Sequence, residues 1–117
     1  MMEQQEQIDR LIDDISNSSF NDIRYRTEFL YDNQLAIVSN TSKVCAIVQY
    51  DEHTSEYNDD IGHEFGVYEM KVRKTEYEMK SYHLEDKDGA EVMATKDQRM
   101  QLGLEIKQVL IDLETTE

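Results

Sequence analysis

The chain has no proline, one cysteine, only four glycines and few cations among its 117 residues. The lone cysteine, Cys45, excludes an internal disulfide, and its place in the apolar run VCAIV reads as that of a small core hydrophobe. Gly62, Gly66, Gly89 and Gly103 fit neither GxGxxG nor GxxxxGKS/T, so the backbone cradle for a nucleotide's phosphates is missing and no nucleotide cofactor is expected. No apolar run approaches the roughly 18–20 residues that a membrane-spanning helix needs. The stretch MMEQQEQIDR lacks the basic start and apolar segment of a secretory signal, so the expectation is a cytoplasmic protein.

The shortage of cations gives the chain its most unusual bulk property. Asp and Glu number 26 against 12 Lys and Arg, a formal net charge of −14. Such a charge repels phosphate backbones at long range and attracts basic surfaces, including one that normally holds nucleic acid. Direct nucleic-acid binding is therefore not expected. High charge with low hydrophobicity also describes disordered chains, but here the apolar residues and ten aromatics fall into periodic patterns, so the chain reads as folded. Its length is that of one domain, 1–117.

Ile8, Leu11, Ile12 and Ile15 recur at helical spacing, with Glu6, Asp9, Asp13 and Asp14 around them, which predicts an amphipathic helix over 3–16. From Asp22 the period becomes two: Ile23, Tyr25, Thr27, Phe29 and Tyr31 alternate with Arg24, Arg26, Glu28 and Leu30, as in a strand with one covered face. Asp32-Asn33 offers a tight turn, and the apolar runs Leu35 to Val38 and Val44 to Tyr50 read as more central strands of a meander. Residues 51–64, DEHTSEYNDDIGHE, have no sustained apolar period and read as a long polar loop. Phe65 to Arg73 and Thr75 to Leu84 suggest two further strands, with Glu76 to Lys80 alternatively helical; Asp86 to Gly89 is a turn and Glu91 to Met93 a short return strand. Thr95-Lys96-Asp97-Gln98 matches a capping box, opening a helix over 96–113 whose stripe is Leu102, Ile106, Val109, Leu110 and Leu113, widened by Leu104 and Ile111. Gly103 within it marks either a close crossing over a strand or a tolerated weakness. The fold class expected is α+β: an antiparallel sheet of about four to six strands, from the segments 22–50 and 65–93, flanked by an N-terminal and a C-terminal amphipathic helix.

Motifs for chemistry are sparse. His53, Glu56, Asp59, Asp60, His63 and Glu64 are of metal-binding types, but their spacing matches no metal signature: HExxH and CxxC are absent, and aligning Gly89 with the glycine of an EF-hand puts Leu84 where the first aspartate belongs. The cluster reads as a solvated acidic loop, and no metal or other cofactor is expected. No GxSxG surrounds a serine, and Cys45 in an apolar strand disfavours its thiolate. Paired carboxylates carry no signal in a chain with 26 acids. The seven tyrosines suit cross-strand packing as well as an interface, and Lys71, Arg73 and Lys74 form the one basic cluster.

The strongest local bias is the segment 51–69, with seven carboxylates, Asp51, Glu52, Glu56, Asp59, Asp60, Glu64 and Glu69, and no lysine or arginine. Gathered on one surface they would steer association with a basic partner in a salt-dependent way. In size, acidity and element order, though in no motif, the chain resembles virus-encoded inhibitors that mimic nucleic-acid charge and secretion chaperones that hold a partner on a curved sheet. The functional expectation is a non-enzymatic interaction protein docking on a basic surface of a larger protein through these seven acids and Tyr57. The alternatives are a structural or assembly subunit that self-associates and, third, a small metal-dependent enzyme built on the His53 to Glu64 cluster.

Overall fold

The computed structural model describes residues 2–61 and 68–116, with side chains for 4–56 and 73–114. Helix α1 (Met2–Ser16) is followed by β1 (Tyr25–Leu30), β2 (Gln34–Ser39), β3 (Cys45–Ile61), β4 (Tyr68–Glu85), β5 (Glu91–Val92), helix α2 (Lys96–Asp112) and a two-residue strand β6 (Thr115–Thr116). The strands form one antiparallel sheet in the order β1-β2-β3-β4-β5, with β6 also on β4. The expected α+β architecture with two flanking helices is the one adopted. No described helix is long and apolar enough to cross a membrane.

Both helices lie against one face of the sheet. Ile8, Leu11, Ile12 and Ile15 of α1 and Leu102, Ile106, Val109 and Leu110 of α2 meet Leu35, Ile37, Val44, Ala46, Val48, Tyr50 and Leu84 in a single core. Each of the Val, Leu and Ile side chains among them contributes about 1.5–3 kcal/mol by leaving water. The predicted capping box closes α2: the Thr95 hydroxyl accepts from the Gln98 N–H and the Gln98 side chain accepts from the Thr95 N–H. The Gln98 amide then donates to the Gln5 carbonyl and to Asp9 at 2.9 Å, tying the start of α2 to α1. The turn after β1 places Asp32 and Asn33 at φ of 61° and 56°, a conformation that Asn and Asp tolerate better than other side chains. Gly89, at φ 82°, takes the same left-handed region in the β4–β5 turn.

Asp14, read from its spacing as part of the polar face of α1, is buried. Its Oδ2 accepts hydrogen bonds from the Ser39 hydroxyl, from the Thr41 hydroxyl at 2.7 Å and from the Thr41 N–H at 3.1 Å. Burial acts to raise this carboxyl, but the three donors favour its charged form and hold it below the ordinary carboxylate range. The β2–β3 turn is bound to α1 a second time, through Ser42, whose hydroxyl donates to the Gln7 carbonyl at 2.6 Å.

Several expectations need correction. Residues 51–61 are strand, not loop: β3 runs unbroken to Ile61 and pairs with β4 throughout, apart from one irregularity between Gln49 and Tyr50. A two-stranded ribbon wet on both faces needs no apolar alternation, and this run contains neither glycine nor proline to interrupt it. The two strands expected over 65–84 are one, Tyr68–Glu85, and 76–80 are extended rather than helical; Phe65 to Val67 lie outside the described residues. In α2, Leu104 and Ile111 do not widen the core stripe, being 70% and 54% exposed. Gly103 makes no close crossing, since a β-carbon there would meet nothing within 4 Å. The strand expected from Asp22 is shorter, Tyr25–Leu30, so Ile23 and Tyr31 fall outside it and are exposed, while Tyr25 and Thr27 on the expected covered face are half-buried and Phe29 is exposed.

Cys45 is also misplaced by its apolar neighbours. Val44, Ala46 and Val48 point into the core, so strand alternation turns Cys45 to the opposite face, where it is half-buried. Its thiol donates to the Glu85 carbonyl at 3.7 Å, and partial burial together with the Glu85 charge pushes its pKa up. Alkylation of the native protein is therefore expected to be measurable but several-fold slower than in denaturant at pH 8, and to keep accelerating above pH 9 as the thiolate forms. A native rate equal to the denatured one would contradict this placement.

Candidate functional site

The core ends at Tyr50 and Tyr77, but the β3–β4 hairpin continues. Phe29, Tyr50 and Tyr77 close the core with ring centroids 5.3–6.1 Å apart. Beyond them β3 runs on for eleven residues, about 36 Å at the rise of a strand. The described side chains from Glu52 to Glu56 are all exposed. The molecule is accordingly long, 68 Å by 31 Å by 23 Å, with a radius of gyration of 18.2 Å where a compact chain of this length would have about 13 Å. The result is a projecting arm of β3 and β4, joined at Lys74 and Thr75 by the short strand β6.

The arm carries most of the acidic segment. Asp51, Glu52, Glu56, Tyr57, Asp59 and Asp60 lie along β3, and Glu69 lies on β4 in register with Asp60; Glu64 is outside the described residues. The three acids with described side chains are not gathered on one surface. Alternation sends Asp51 to one face and Glu52 and Glu56 to the other. Strand β4 also returns cations to the arm: Arg73 holds Glu56 at 3.0 Å and Lys80 holds Asp51 at 3.3 Å. Over 51–61 and 68–80 the balance is eight carboxylates to four cations. Glu52 faces the aromatic end of the core, where burial first and its charge second raise the phenol pKa values of Tyr50 and Tyr77.

Of the six residues of metal-binding type, only His53 and Glu56 have described side chains, and these two do not converge. His53 and Glu56 fall on opposite faces of β3, because their separation of three is odd in a period of two. What the register assembles instead is Asp51 and His53 with Glu78 from β4, their potential ligand atoms within 4.8 Å of one another. Asp51 and Glu78 stand directly opposite in register, an unfavourable like-charge pairing. Two cationic groups offset it: Lys80 on Asp51 and, when protonated, His53 on Glu78 at 3.2 Å. Among the described residues these three could hold a metal, and a bound cation would compete with Lys80. Glu78 was missed in the sequence because only a cross-strand register brings it to His53; recognising the hairpin would have found it.

Cys45 shares its sheet face with His83 and Glu85. His83 is engaged by Glu85, Nε2 to Oε2 at 2.5 Å, and the thiol is shifted towards its protonated form, the reverse of what nucleophilic attack requires. Comparisons with protein-family models, with curated proteins and with solved structures found no match to this chain.

Proposed function

We propose that the protein is a non-enzymatic interaction module that docks on a basic surface of a larger protein through the β3–β4 arm. The observation that carries this reading is the arm itself: it extends the acidic stretch about 36 Å past the core, and the β3 side chains from Glu52 to Glu56 are exposed on both its faces. A ribbon of this kind costs conformational entropy and buries little in return, so an interaction that uses its length is its simplest rationale. The partner's surface is basic because acids outnumber cations two to one on the arm and by 26 to 12 over the chain. Blocking a site that otherwise binds nucleic acid is a specific form of this function, and one that the charge would serve.

The test combines capture of the partner with association kinetics. In the triple variant Asp59→Asn, Asp60→Asn, Glu64→Gln, the Glu56–Arg73 and Asp51–Lys80 pairs remain. Its association rate at low salt is expected to fall about 3–10-fold while dissociation changes less than about twofold, since rim charges act on encounter. The difference should close at high salt, where screening shortens to a few ångströms. Equal association rates at low salt would remove the charge-steered reading.

A second reading, self-association as an assembly subunit, has one observation in its favour. Phe20 is 97% and Ile23 67% exposed, next to the β1 edge and the end of α2. Sedimentation across a concentration series decides between a monomer and a concentration-dependent oligomer.

A further inference from the structure

Strand β3 has two edges, and only one is fully occupied. Its inner edge pairs with β4 from end to end, whereas its outer edge pairs with β2 only from Cys45 to Gln49. At Tyr50 the outer edge makes a last contact, its N–H donating to the Asn33 carbonyl at 3.0 Å. Past that point no strand among the described residues lies against it. In an extended chain, alternate residues direct their N–H and C=O to the same side. With no irregularity after Tyr50, Glu52, Thr54 and Glu56 therefore aim their backbone groups outward, while Asp51, His53 and Ser55 aim theirs at β4. The result is a notch in the sheet, in line with β2, bounded at one end by the Tyr31–Asn33 turn and with the half-exposed Phe29 ring beside it.

An unpaired edge of this kind is a template for another strand, and its charge selects which. From residue 44 to residue 70 the chain has no lysine or arginine. A second copy laying its own β3 edge here would set carboxylates against carboxylates, which is unfavourable directly across a ladder. A segment with lysine or arginine at alternate positions sends them all to one face of the sheet, where Glu52 and Glu56 of β3 both stand. We propose that the outer edge of β3 takes up a Lys/Arg-rich extended segment of the partner as an added strand of the sheet. This rests on the docking function above and specifies its mode: main-chain hydrogen bonds to Glu52, Thr54 and Glu56 provide the pairing, and the acids provide the selection.

The probe is a nine-residue peptide alternating lysine with threonine or valine, in two forms of equal charge. One is unmodified; the other is N-methylated at the alternate amides that a strand would direct towards β3. Binding is measured by fluorescence anisotropy at low salt, and amide hydrogen exchange of the protein is followed with and without saturating unmodified peptide. The unmodified peptide is expected to bind at least about 10-fold more tightly, one lost hydrogen bond or more at about 1.4 kcal/mol per tenfold. It should slow exchange at Glu52, Thr54 and Glu56 by a similar factor, leaving Asp51, His53 and Ser55 unchanged. Equal affinity of the two peptides, or binding without that alternating protection, would overturn strand addition and leave docking by surface charge intact. Absence of binding by both, or protection that rises with protein concentration alone, as pairing between two copies would give, also overturns it. Failure of the docking function itself would be seen separately, in salt-independent association with the captured partner.

Discussion

Replacing Asp14 with alanine is expected to destabilise the protein by about 2–4 kcal/mol in urea unfolding, with an unchanged dependence on denaturant. The substitution removes a buried carboxylate that accepts from the Ser39 hydroxyl and from both the hydroxyl and the N–H of Thr41, and it leaves those donors without their charged acceptor. Asp14→Asn keeps an acceptor oxygen without the charge, so about half that loss is expected. The pH dependence has a definite sign. The carboxyl is held below its ordinary value of 3.8 in the folded state. Its stabilisation is therefore fully present above the unfolded value, near pH 4, and is lost as pH falls through the folded one. The stability difference between wild type and Asp14→Asn should be constant from pH 7 to about pH 5 and shrink below pH 4; a difference that grows on acidification would show that the carboxyl is not stabilised in its charged form.

Ile106→Ala should cost about 2–5 kcal/mol, because the side chain is fully buried between the sheet and α1 and its removal leaves a cavity as well as losing apolar burial. Leu104→Ala, two residues away on the same helix, should stay within about 0.5 kcal/mol, since Leu104 is 70% exposed. The pair is measured best in one set of thermal or chemical melts. Similar losses for the two would mean that α2 is rotated about its axis relative to the packing described here.

How far each element could be read from the sequence followed from where its information lies. The α1 stripe, the capping box at Thr95 and the α2 stripe of Leu102, Ile106, Val109, Leu110 and Leu113 are local patterns, and the structure buries eight of the nine stripe residues, with Leu113 partly buried beside them. Asp32-Asn33 and Gly89 were legible because the left-handed backbone region accepts few residue types. The arm was not legible in the same way. Its polar strands satisfy their backbone groups against each other and leave both faces in water, so no hydrophobic period announces them. Cys45 and Asp14 were misjudged for a related reason: neighbouring residue types do not reveal which way a given side chain points.

The α+β class, the two helices and their core faces, the acidity and the central strands are legible in the order of residues, because each follows from short-range periodicity or from composition. Strand pairing alone shows that residues 51–61 are a strand rather than a loop, that β4 brings Arg73 and Lys80 to Glu56 and Asp51, and that among the described residues no strand lies on the outer edge of β3 beyond Tyr50. Those facts depend on the register between residues some 17–29 positions apart, and register is a property of paired strands that no single stretch of chain encodes.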